Sequence, residues 1–389
     1  MLEGVHVALG VSGSIAAVKT VELAHELRRR GATVRGVMTE SAQGIVHPWA
    51  VEFATDNPVV TEITGSVEHV ELCGRDEWAD VFLVAPATAN TVGKIAAAVD
   101  DTPVTTCATT ALGADVPVVV APAMHEPMYD HPGVLDAIDR VESWGVQFVD
   151  PRIEEEKAKI ASEDAIVTEV ARATTPDSLA GEHVVVTSGA TTESVDPVRT
   201  LSNRASGKTG RAVAKACYVR GADVTLVHDA DRYAEECHYA TVEHAESAAE
   251  MLDGVLAHAD DADALISAAA ISDYTVEAAG EKIKSGQETL TLDLSPTPKL
   301  IDTVREEHPE LPIVGFKVET EGGEDMLVER ARETMDRAGL AFVVGNHADV
   351  MGETETTVLL VGDDSVEEYA GSKAGLGGRV AEELAAVLS

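Results

Sequence analysis

Short apolar runs rich in β-branched residues alternate with segments of helical periodicity along the whole chain. This alternation is typical of parallel β-sheets covered by helices on both faces, because neighbouring parallel strands need a long crossover between them. In the first half, the apolar runs predict strands at residues 5–10, 33–38, 81–85, 116–121 and 146–149. The predicted fold class is α/β, with doubly wound, Rossmann-like architecture.

The segment between the first two predicted strands has the pattern of a helix. Its apolar side chains recur at helical spacing, at Ile15, Val18, Val21, Ala24 and Leu27. Gly31 follows this pattern and predicts the end of the helix.

The periodicity lapses at residues 173–181, where the chain reads ATTPDSLAG. A new apolar run at 183–187 begins a second series, which has a helix from Gly207, a polar stretch at 281–288 and a helix at the carboxyl end. Its further predicted strands lie at 224–227, 264–268, 313–316, 342–344 and 357–361. Because 389 residues exceed the usual size of one hydrophobic core, we expect two domains, 1–175 and 180–389.

The charge balance narrows the range of partners. The chain has 68 acidic and 29 basic residues, a net charge of −39, which would repel nucleic acid and anionic membranes. The acidic residues are dispersed along the chain and do not form a tail. We therefore interpret the surface as halophilic, because in molar salt the Debye length shrinks to about 3 Å and the repulsion between the carboxylates is screened. An ordinary acidic protein is the alternative interpretation.

The four cysteines, Cys73, Cys107, Cys217 and Cys237, include no CxxC pair. This usage predicts neither a disulfide framework nor a zinc site, and it fits a reducing compartment. The first residues, MLEGVHVALG, lack the pattern of a signal peptide, and the longest apolar runs are far shorter than the ~20 residues that span a bilayer. We therefore expect a soluble, cytoplasmic protein.

A glycine and serine loop follows the first predicted strand and opens a helix. Gly10, Ser12, Gly13 and Ser14 bring backbone N–H groups and hydroxyls to a helix amino terminus, where the helix dipole favours a phosphate. The spacing is not the GxGxxG dinucleotide pattern. The loop alone also suits a doubly wound domain that needs glycine only for packing.

Further motifs follow the other strands of the first half, at the sheet edge where ligands bind. They read TESA at 39–42, APATANT at 85–91 and APAMHEPM at 121–128. With the glycine loop, they resemble the homo-oligomeric flavin-containing cysteine decarboxylase family. The resemblance implies trimers with flavin sites between subunits, and an FMN site that includes Gly10, Ser12, Gly13, Ser14, Ser41, Ala87, Thr88, Asn90 and Met124.

The same resemblance nominates catalytic residues. His69 stands where the family keeps its active-site histidine, although a histidine on a turn surface is the alternative. His125 replaces an asparagine thought to hold the substrate carboxylate. The family's proton-donating cysteine loop corresponds to the run EEEKAKI at 154–160, which has no thiol. Lys157 or Lys159 is the candidate proton donor there; the alternatives are solvent as donor and a run that is only a solvated loop.

A long polar loop spans residues 186–210 in the second half. Its SGKTG ending is not a P-loop, because no glycine lies at the required spacing before Gly207. The loop contains DPVR, SN and SGK and resembles the phosphopantothenate-cysteine ligase family. The resemblance continues at 267–274, 281–284, 298–301, 314–320 and 345–346.

This second resemblance implies roles for individual residues. Asn203 would hold the activated acyl group, Asp273 the nucleotide and its Mg²⁺, and Lys282 the triphosphate. The other implied nucleotide-binding residues are Ser267, Ala268, Ala269, Pro298, Lys299, Leu300, Ile301 and Phe316. Oxygen ligands for Mg²⁺ and cations for phosphate suit these roles. Ala338 replaces a frequent lysine of the family, with Arg337 or Arg332 as candidate substitutes.

The two domains in this order resemble bifunctional coenzyme A biosynthesis proteins, here with a halophilic, archaeal-like composition. The resemblance implies condensation of 4′-phosphopantothenate with cysteine through an acyl cytidylate, driven by CTP with ATP as the alternative. FMN-dependent decarboxylation to 4′-phosphopantetheine would follow. It also implies a homo-oligomer with trimeric flavin domains and dimeric ligase domains, for which a dodecamer is one arrangement. A pyridine-nucleotide oxidoreductase and a non-catalytic flavoprotein regulatory subunit are the competing hypotheses.

Overall fold

The computed structural model describes residues 1–154, 157–229, 237–284, 288–319, 323–347 and 355–389. The chain divides into two compact units, Met1–Thr175 and Pro176–Ser389, which we call the N-terminal unit and the C-terminal unit. Each unit has its own main sheet and its own hydrophobic core.

The sheets of the N-terminal unit confirm the α/β prediction. The strands in chain order are β1 (His6–Val11), β2 (Thr33–Met38), β3 (Val81–Ala87), β4 (Val118–Pro122), β5 (Met124–His125), β6 (Gln147–Phe148), β7 (Arg152–Glu154) and β8 (Lys157–Lys159). Five parallel strands form the main sheet in the order β2-β1-β3-β4-β6, and β5-β8-β7 form a small antiparallel sheet. The chain crosses from one side of β1 to the other between β2 and β3, and such a switch point is where open α/β sheets bind ligands.

Helices connect these strands. They are a 3-10 helix (Ile15–Lys19), α1 (Thr20–Arg29), α2 (Glu40–Gln43), α3 (Pro48–Thr55), α4 (Glu68–Cys73), α5 (Ala89–Ala96), α6 (Pro103–Gly113), α7 (Glu126–Tyr129), α8 (Pro132–Glu142) and α9 (Glu163–Thr174). Threonine or serine side chains cap α2, α5, α6 and α9 by accepting backbone N–H bonds. The caps satisfy donors that have no partner within the helix.

The first predicted helix differs from its pattern. Residues 15–19 form a 3-10 helix, in which Ile15 and Val18 are 79% and 58% exposed. The α-helical part, α1, buries Leu23 and Leu27. A 3-10 helix has three residues per turn, and the predicted spacing was that of an α-helix. The apolar side chains before α1 therefore do not lie on the face that packs against the sheet.

The main sheet of the C-terminal unit has eight strands. The strands of this unit are β9 (His183–Ser188), β10 (Thr192–Ser194), β11 (Thr200–Ser202), β12 (Asp223–His228), β13 (Thr241–His244), β14 (Ala264–Ser267), β15 (Tyr274–Val276), β16 (Leu294–Pro296), β17 (Ile313–Glu319), β18 (Phe342–His347), β19 (Glu355–Val361) and β20 (Val366–Ser372). The order in the main sheet is β13-β12-β9-β14-β17-β18-β19-β20. Antiparallel pairing of β19 with both neighbours makes the sheet mixed, where the alternation predicted a parallel one.

Five described helices cover this sheet. They are α10 (Lys208–Val219), α11 (Ala248–Ala259), α12 (Leu300–Glu307), α13 (Glu324–Ala338) and α14 (Lys373–Leu388). The strand β9 shows how both faces are buried: Val184 and Val186 belong to one hydrophobic cluster, and Val185 belongs to the other. Since neighbouring side chains of a strand point to opposite faces, the sheet has a hydrophobic core on each side.

A search of the described helices for a membrane span finds none of sufficient length and apolar character.

Candidate functional sites

An open cavity of about 550 Å³ lies at the carboxyl edge of the parallel sheet in the N-terminal unit, and we call it the first cleft. The segments that follow β1, β3 and β4 line it, together with β8. Among the residues that the sequence nominated, it contains Gly13, Ser14, Thr88, Met124, His125 and Lys159. Loops that follow three different strands therefore meet at one cavity, and the TESA segment after β2 is not part of its lining.

The two serines of the glycine loop have different partners. Ser12 is 1% exposed, and its hydroxyl donates to the Pro86 carbonyl at 2.7 Å and accepts from the Thr88 N–H at 3.1 Å. The Ser14 hydroxyl donates to the Ala123 carbonyl at 3.0 Å. Ser12 thus ties the loop to the end of β3, Ser14 ties it to the end of β4, and only Ser14 lines the first cleft.

The two glycines also differ. A Cβ on Gly13 would collide with the side chain of Ser41, whose hydroxyl is 3.0 Å from that of Thr39. Glycine at this position lets the loop lie directly against Ser41. A Cβ on Gly10 would lie 2.9 Å from the ring of Phe82, inside the unit. Gly10 therefore serves the packing of β1, and Gly13 shapes the wall of the first cleft.

The APATANT segment contributes mainly through Thr88. Its hydroxyl caps α5 by accepting the Thr91 N–H at 3.2 Å, and the residue lines the first cleft. Ala87 is fully buried at the end of β3, and Asn90 is exposed on α5 outside the lining of the cleft. Of this segment, only Thr88 and Ala89 contact the cavity.

Within the charged run at 154–160, the described residues include the end of β7 and the whole of β8, which pair antiparallel. His125 lies opposite Lys157 in the register of β5 and β8; the Lys157 side chain is outside the described part of the chain. Arg152 and Lys159 lie opposite each other on β7 and β8, and both line the first cleft. The sequence did not nominate Arg152.

His69 lies on α4, and the first cleft does not include it among its lining residues. Its Nδ1 atom is enclosed and has no hydrogen-bond partner in the described ranges. The helix begins after Val67, which has a φ of 52°, and Val67 and Val70 are 50% and 41% exposed. The imidazole is thus flanked by apolar surface.

A second cavity, of about 450 Å³, lies at the carboxyl edge of the eight-stranded sheet, and we call it the second cleft. Of the nominated residues, it is lined by Asn203, Ala268, Ala269, Asp273 and Phe316. The Asn203 amide donates to the Ala270 carbonyl at 2.9 Å. This bond holds the SN segment against the alanine run that follows β14.

Close packing brings the start of α10 to the second cleft. Gly207 precedes α10 with a φ of 68°, a conformation that glycine adopts at little cost. A Cβ there would approach the Gly189 nitrogen and the Ser188 hydroxyl at 3.0 Å, and one on Gly210 would collide with Ser188. The Ser188 hydroxyl donates to the Gly207 carbonyl at 2.9 Å. The first backbone N–H groups of α10 are therefore held beside the cavity.

Several nominated residues are not in the lining of the second cleft: Ser267, Lys282, Pro298, Lys299, Leu300 and Ile301. Leu300 is 3% exposed because it starts α12 and packs into the core. Lys299 forms an ion pair with Asp273, so it reaches the cavity only through that carboxylate. Among the lining residues, Asp273 is the sole carboxylate, and no cluster of three metal-ligand residues occurs in the described ranges.

Lysines line the second cleft from three distant parts of the chain. Lys208 begins α10, Lys317 lies on β17 and Lys373 begins α14. The sequence motifs contained the first two, but nothing in the local pattern indicated Lys373. Arg337, a candidate substitute for the family's lysine, instead donates to Asp302 at 2.6 Å.

The DPVR segment forms a closed network. Asp196 accepts hydrogen bonds from the N–H groups of Val198 and Arg199 and from the Ile283 N–H at 3.0 Å. The Arg199 guanidinium binds the Asp196 carboxylate through Nε at 2.9 Å and donates to the Ile283 carbonyl at 2.6 Å. Burial opposes ionisation of Asp196, but these donors outweigh burial and hold its pKa well below its usual value.

Family models match both halves of the chain. Residues 1–175 match the family model "Flavoprotein", and residues 179–388 match "DNA/pantothenate metabolism flavoprotein C-terminal domain". The Coenzyme A biosynthesis bifunctional protein CoaBC of Thermococcus kodakarensis is 49% identical over 93% of this chain and 90% of its own. That of Methanocaldococcus jannaschii is 34% identical over 99% and 94%. A solved DNA/pantothenate metabolism flavoprotein from Streptococcus pneumoniae has a TM-score of 0.47 at 22% identity, covering 53% of this chain and 99% of its own.

The two α/β units, each with a cleft at the carboxyl edge of its sheet, define a two-domain enzyme whose amino-terminal half is a flavoprotein domain. The chain belongs to the family of bifunctional coenzyme A biosynthesis proteins. It has a decarboxylase and a ligase activity, so the functional prediction from the sequence is confirmed.

Proposed function

We propose that the C-terminal unit condenses 4′-phosphopantothenate with cysteine at the expense of CTP, and that the N-terminal unit decarboxylates the product to 4′-phosphopantetheine. The observation that carries the proposal is the second cleft. It brings a helix amino terminus, three lysines and one carboxylate to a single cavity, which suits a phosphate ligand accompanied by a divalent cation. The family membership supports the order of the two steps.

In the ligase step, CTP activates the carboxylate of 4′-phosphopantothenate as an acyl cytidylate and releases pyrophosphate. The cysteine amine then attacks the acyl carbon, which gives the amide and CMP. Lys208 and Lys317 stabilise the negative charge that moves to the departing pyrophosphate. Asn203, held by the Ala270 carbonyl, positions the acyl group. ATP in place of CTP is an outcome that a nucleotide comparison distinguishes.

Mg²⁺ fits the second cleft through Asp273. Mg²⁺ commonly takes one or two protein carboxylates and completes its shell with phosphate oxygens and water, so a single carboxylate beside a triphosphate is sufficient. Bound there, the ion supplies neutralisation of phosphate charge. Lys299, which pairs with Asp273, orients this carboxylate. Lys282 is proposed to bind the triphosphate. It is next to Ile283, whose backbone is hydrogen-bonded to Asp196 and Arg199.

FMN fits the first cleft. The Gly13 and Ser14 backbone beside the 3-10 helix suits the flavin phosphate, and Thr88 and Met124 line the adjoining wall. When bound, FMN supplies the two-electron chemistry that lets the substrate carboxylate leave as CO₂. In this scheme, His125 faces the substrate carboxylate, His69 orients or deprotonates the substrate thiol, and Lys157 returns a proton.

We also propose a homo-oligomer with trimeric N-terminal units and dimeric C-terminal units, for which a dodecamer is one arrangement. Exposed large apolar side chains support contacts between copies, because burial against another copy would remove their apolar surface from water. In the N-terminal unit these include Ile15, Val18, Trp49, Phe53, Val67 and Val70. In the C-terminal unit they include Val198, Leu201, Tyr274, Leu290, Leu292 and Leu294. Light scattering of the purified chain measures the assembly.

We further propose a halophilic, cytoplasmic enzyme. The net charge of −39 supports a surface that needs salt to screen its self-repulsion. The four cysteines are free thiols in buried positions, which suits a reducing compartment.

A coupled assay with two variants tests the assignment of activities. Asn203→Ala should stop amide formation and leave decarboxylation of supplied 4′-phosphopantothenoylcysteine intact. His69→Ala should stop decarboxylation and leave CTP-dependent amide formation intact. Normal CO₂ release by the His69 variant would refute the role of His69, and loss of both activities in either variant would refute the division between the units.

A further inference from the structure

The side chain of Asp273, the proposed Mg²⁺ ligand, is largely exposed. In the described part of the chain, the one partner of its carboxylate is Lys299, a long and flexible side chain. An aspartate side chain is short, so the backbone that carries it largely decides where the carboxylate lies. Mg²⁺ demands nearly ideal octahedral geometry from its ligands. The backbone around Asp273 must therefore be held in place if the carboxylate is to bind the ion.

Two buried threonines hold the backbone of Ser272, the residue before Asp273. The Thr191 hydroxyl accepts the Ser272 N–H at 2.8 Å, and the Thr297 hydroxyl donates to the Ser272 carbonyl at 2.5 Å. The Thr297 N–H also donates to the Asp273 carbonyl at 3.0 Å. Thr191 is fully buried and Thr297 is 7% exposed. Hydrogen bonds in such a setting are stronger than in water, so they restrain this backbone firmly.

The two threonines come from segments that are far apart in the chain. Thr191 lies between β9 and β10, Thr297 follows β16, and Ser272 lies in the loop between β14 and β15. Thr297 also stands two residues before Lys299, so its bonds place this lysine within reach of Asp273. The hydroxyls thus fix the distance between segments that no single helix or strand holds together.

We propose that Thr191 and Thr297 are positioning residues for Asp273, which hold its carboxylate in the geometry that Mg²⁺ requires beside the nucleotide. The inference rests on the proposed function of the C-terminal unit. Neither threonine lines the second cleft, so both act on the ion only through Asp273. Valine has the shape of threonine but no hydroxyl, so valine at either position leaves a buried backbone group of Ser272 without its partner. The loop must then move to satisfy that group.

The test compares Thr191→Val and Thr297→Val with the wild type, all as the full-length chain. Titration calorimetry measures the affinity for CTP with and without Mg²⁺, in the absence of 4′-phosphopantothenate, so that no turnover occurs. We expect Mg²⁺ to strengthen CTP binding by the wild type. Each valine variant should lose about tenfold of this strengthening, because an unpartnered buried backbone group has an effect of this size. Binding of CTP without Mg²⁺ should be unchanged. In assays of pyrophosphate release, the Mg²⁺ concentration that gives half the maximal rate should rise by the same factor.

Matched variants separate positioning from general stability. Thr191→Ser and Thr297→Ser keep the hydroxyl and should restore most of the Mg²⁺ effect. Thr225→Val removes a buried hydroxyl that lies 2.9 Å from His183 Nε2, on β12 of the same sheet, and should leave the Mg²⁺ effect as in the wild type. The free energy of unfolding is measured for every variant. Should Thr191→Val fail to fold, Thr297→Val and the serine variants decide by the same criteria.

The outcomes distinguish this proposal from the function on which it rests. A normal Mg²⁺ effect in folded valine variants would overturn the role of the threonines, and so would serine variants that lose as much as the valine variants. Equal losses of CTP affinity with and without Mg²⁺ would indicate general damage to the second cleft and would also overturn it. A wild type whose CTP binding does not respond to Mg²⁺ would refute Mg²⁺ binding at Asp273. A wild type that shows the Mg²⁺ effect but forms no amide would refute the proposed ligase function and leave the positioning of Asp273 standing.

Discussion

Asp196 and Arg199 form an ion pair in which the carboxylate side chain is completely buried, and both residues bind the backbone of Ile283. The pair therefore joins the DPVR loop to the segment that contains Lys282 and Lys284. A loop and a lysine segment that are far apart in sequence become one rigid element of the C-terminal unit.

Asp196→Asn should impair the ligase without affecting decarboxylation of supplied 4′-phosphopantothenoylcysteine. The amide cannot replace the charge that holds Arg199, so the lysine segment loses its anchor and the KM for CTP should rise about tenfold or more. Measurement of pyrophosphate release against CTP concentration tests this. An unchanged KM with a normal rate would show that the network has no part in nucleotide binding.

The same substitution gives a pH-dependent effect on stability. Because the pKa of Asp196 is depressed in the folded chain, its stabilising contribution is present above the usual aspartate pKa of about 4 and disappears as the pH falls below that value. Wild type should therefore exceed Asp196→Asn in free energy of unfolding at neutral pH, and the difference should shrink in acid. Denaturant titrations at both pH values in molar salt measure it; a constant difference would contradict the assignment.

Gly13→Ala should weaken FMN binding, because its Cβ would collide with the side chain of Ser41. The loop must then shift away from the first cleft, and we expect about a tenfold increase in the FMN dissociation constant. Adding Ser41→Gly should recover part of the loss by removing the colliding atoms. Fluorescence titration of the apoprotein measures both variants. An equal loss in the single and double variants would show that the contact is not the cause.

Lys373→Met should raise the KM for a phosphate-bearing substrate of the ligase by about tenfold, since it removes a cation from the second cleft. Arg379→Met, on the same helix, removes a cation that is bound to Glu367 and Glu383 and should leave this KM unchanged. Initial rates of pyrophosphate release provide the comparison. Similar changes in the two variants would indicate a general effect of charge on the helix.

Lowering the salt concentration should destabilise the chain. The Debye length increases from about 3 Å at about 1 M KCl to about 10 Å at about 0.1 M KCl. The carboxylates of a chain with a net charge of −39 therefore repel one another more strongly at the lower salt concentration. We expect the melting temperature to fall by about 10 °C. Calorimetry at both concentrations measures it, and an unchanged melting temperature would contradict the halophilic interpretation.

The parallel strands were predictable because both of their faces are buried. The run at 33–38 coincides with β2, and the run at 183–187 gives all but the last residue of β9. The edge strand β20 was missed, because all its residues but two are exposed and its sequence, VEEYAGS, lacks an apolar run. The strands β7 and β8 were missed because their sequences are mostly charged.

The candidate sites were predictable only where residues suited to ligand binding lie within a recognisable local sequence motif. The two glycine loops meet this condition, and the structure places Gly13 and Gly207 in the lining of the clefts. Lys373 does not lie in such a motif. It reaches the second cleft because α14 packs closely on α10, where a Cβ on Gly377 would collide with the Ala212 carbonyl. Such long-range packing has no local sequence signal.

The central claim is that one chain makes a cysteine amide in one unit and removes its carboxylate in the other. The most direct measurement follows labelled CO₂ from cysteine labelled in its carboxyl group, with the FMN-loaded chain, Mg²⁺, 4′-phosphopantothenate and CTP. We expect label release that requires both 4′-phosphopantothenate and the nucleotide and that is accompanied by pyrophosphate. Label release without the nucleotide, or pyrophosphate formation with no labelled CO₂, would contradict the account.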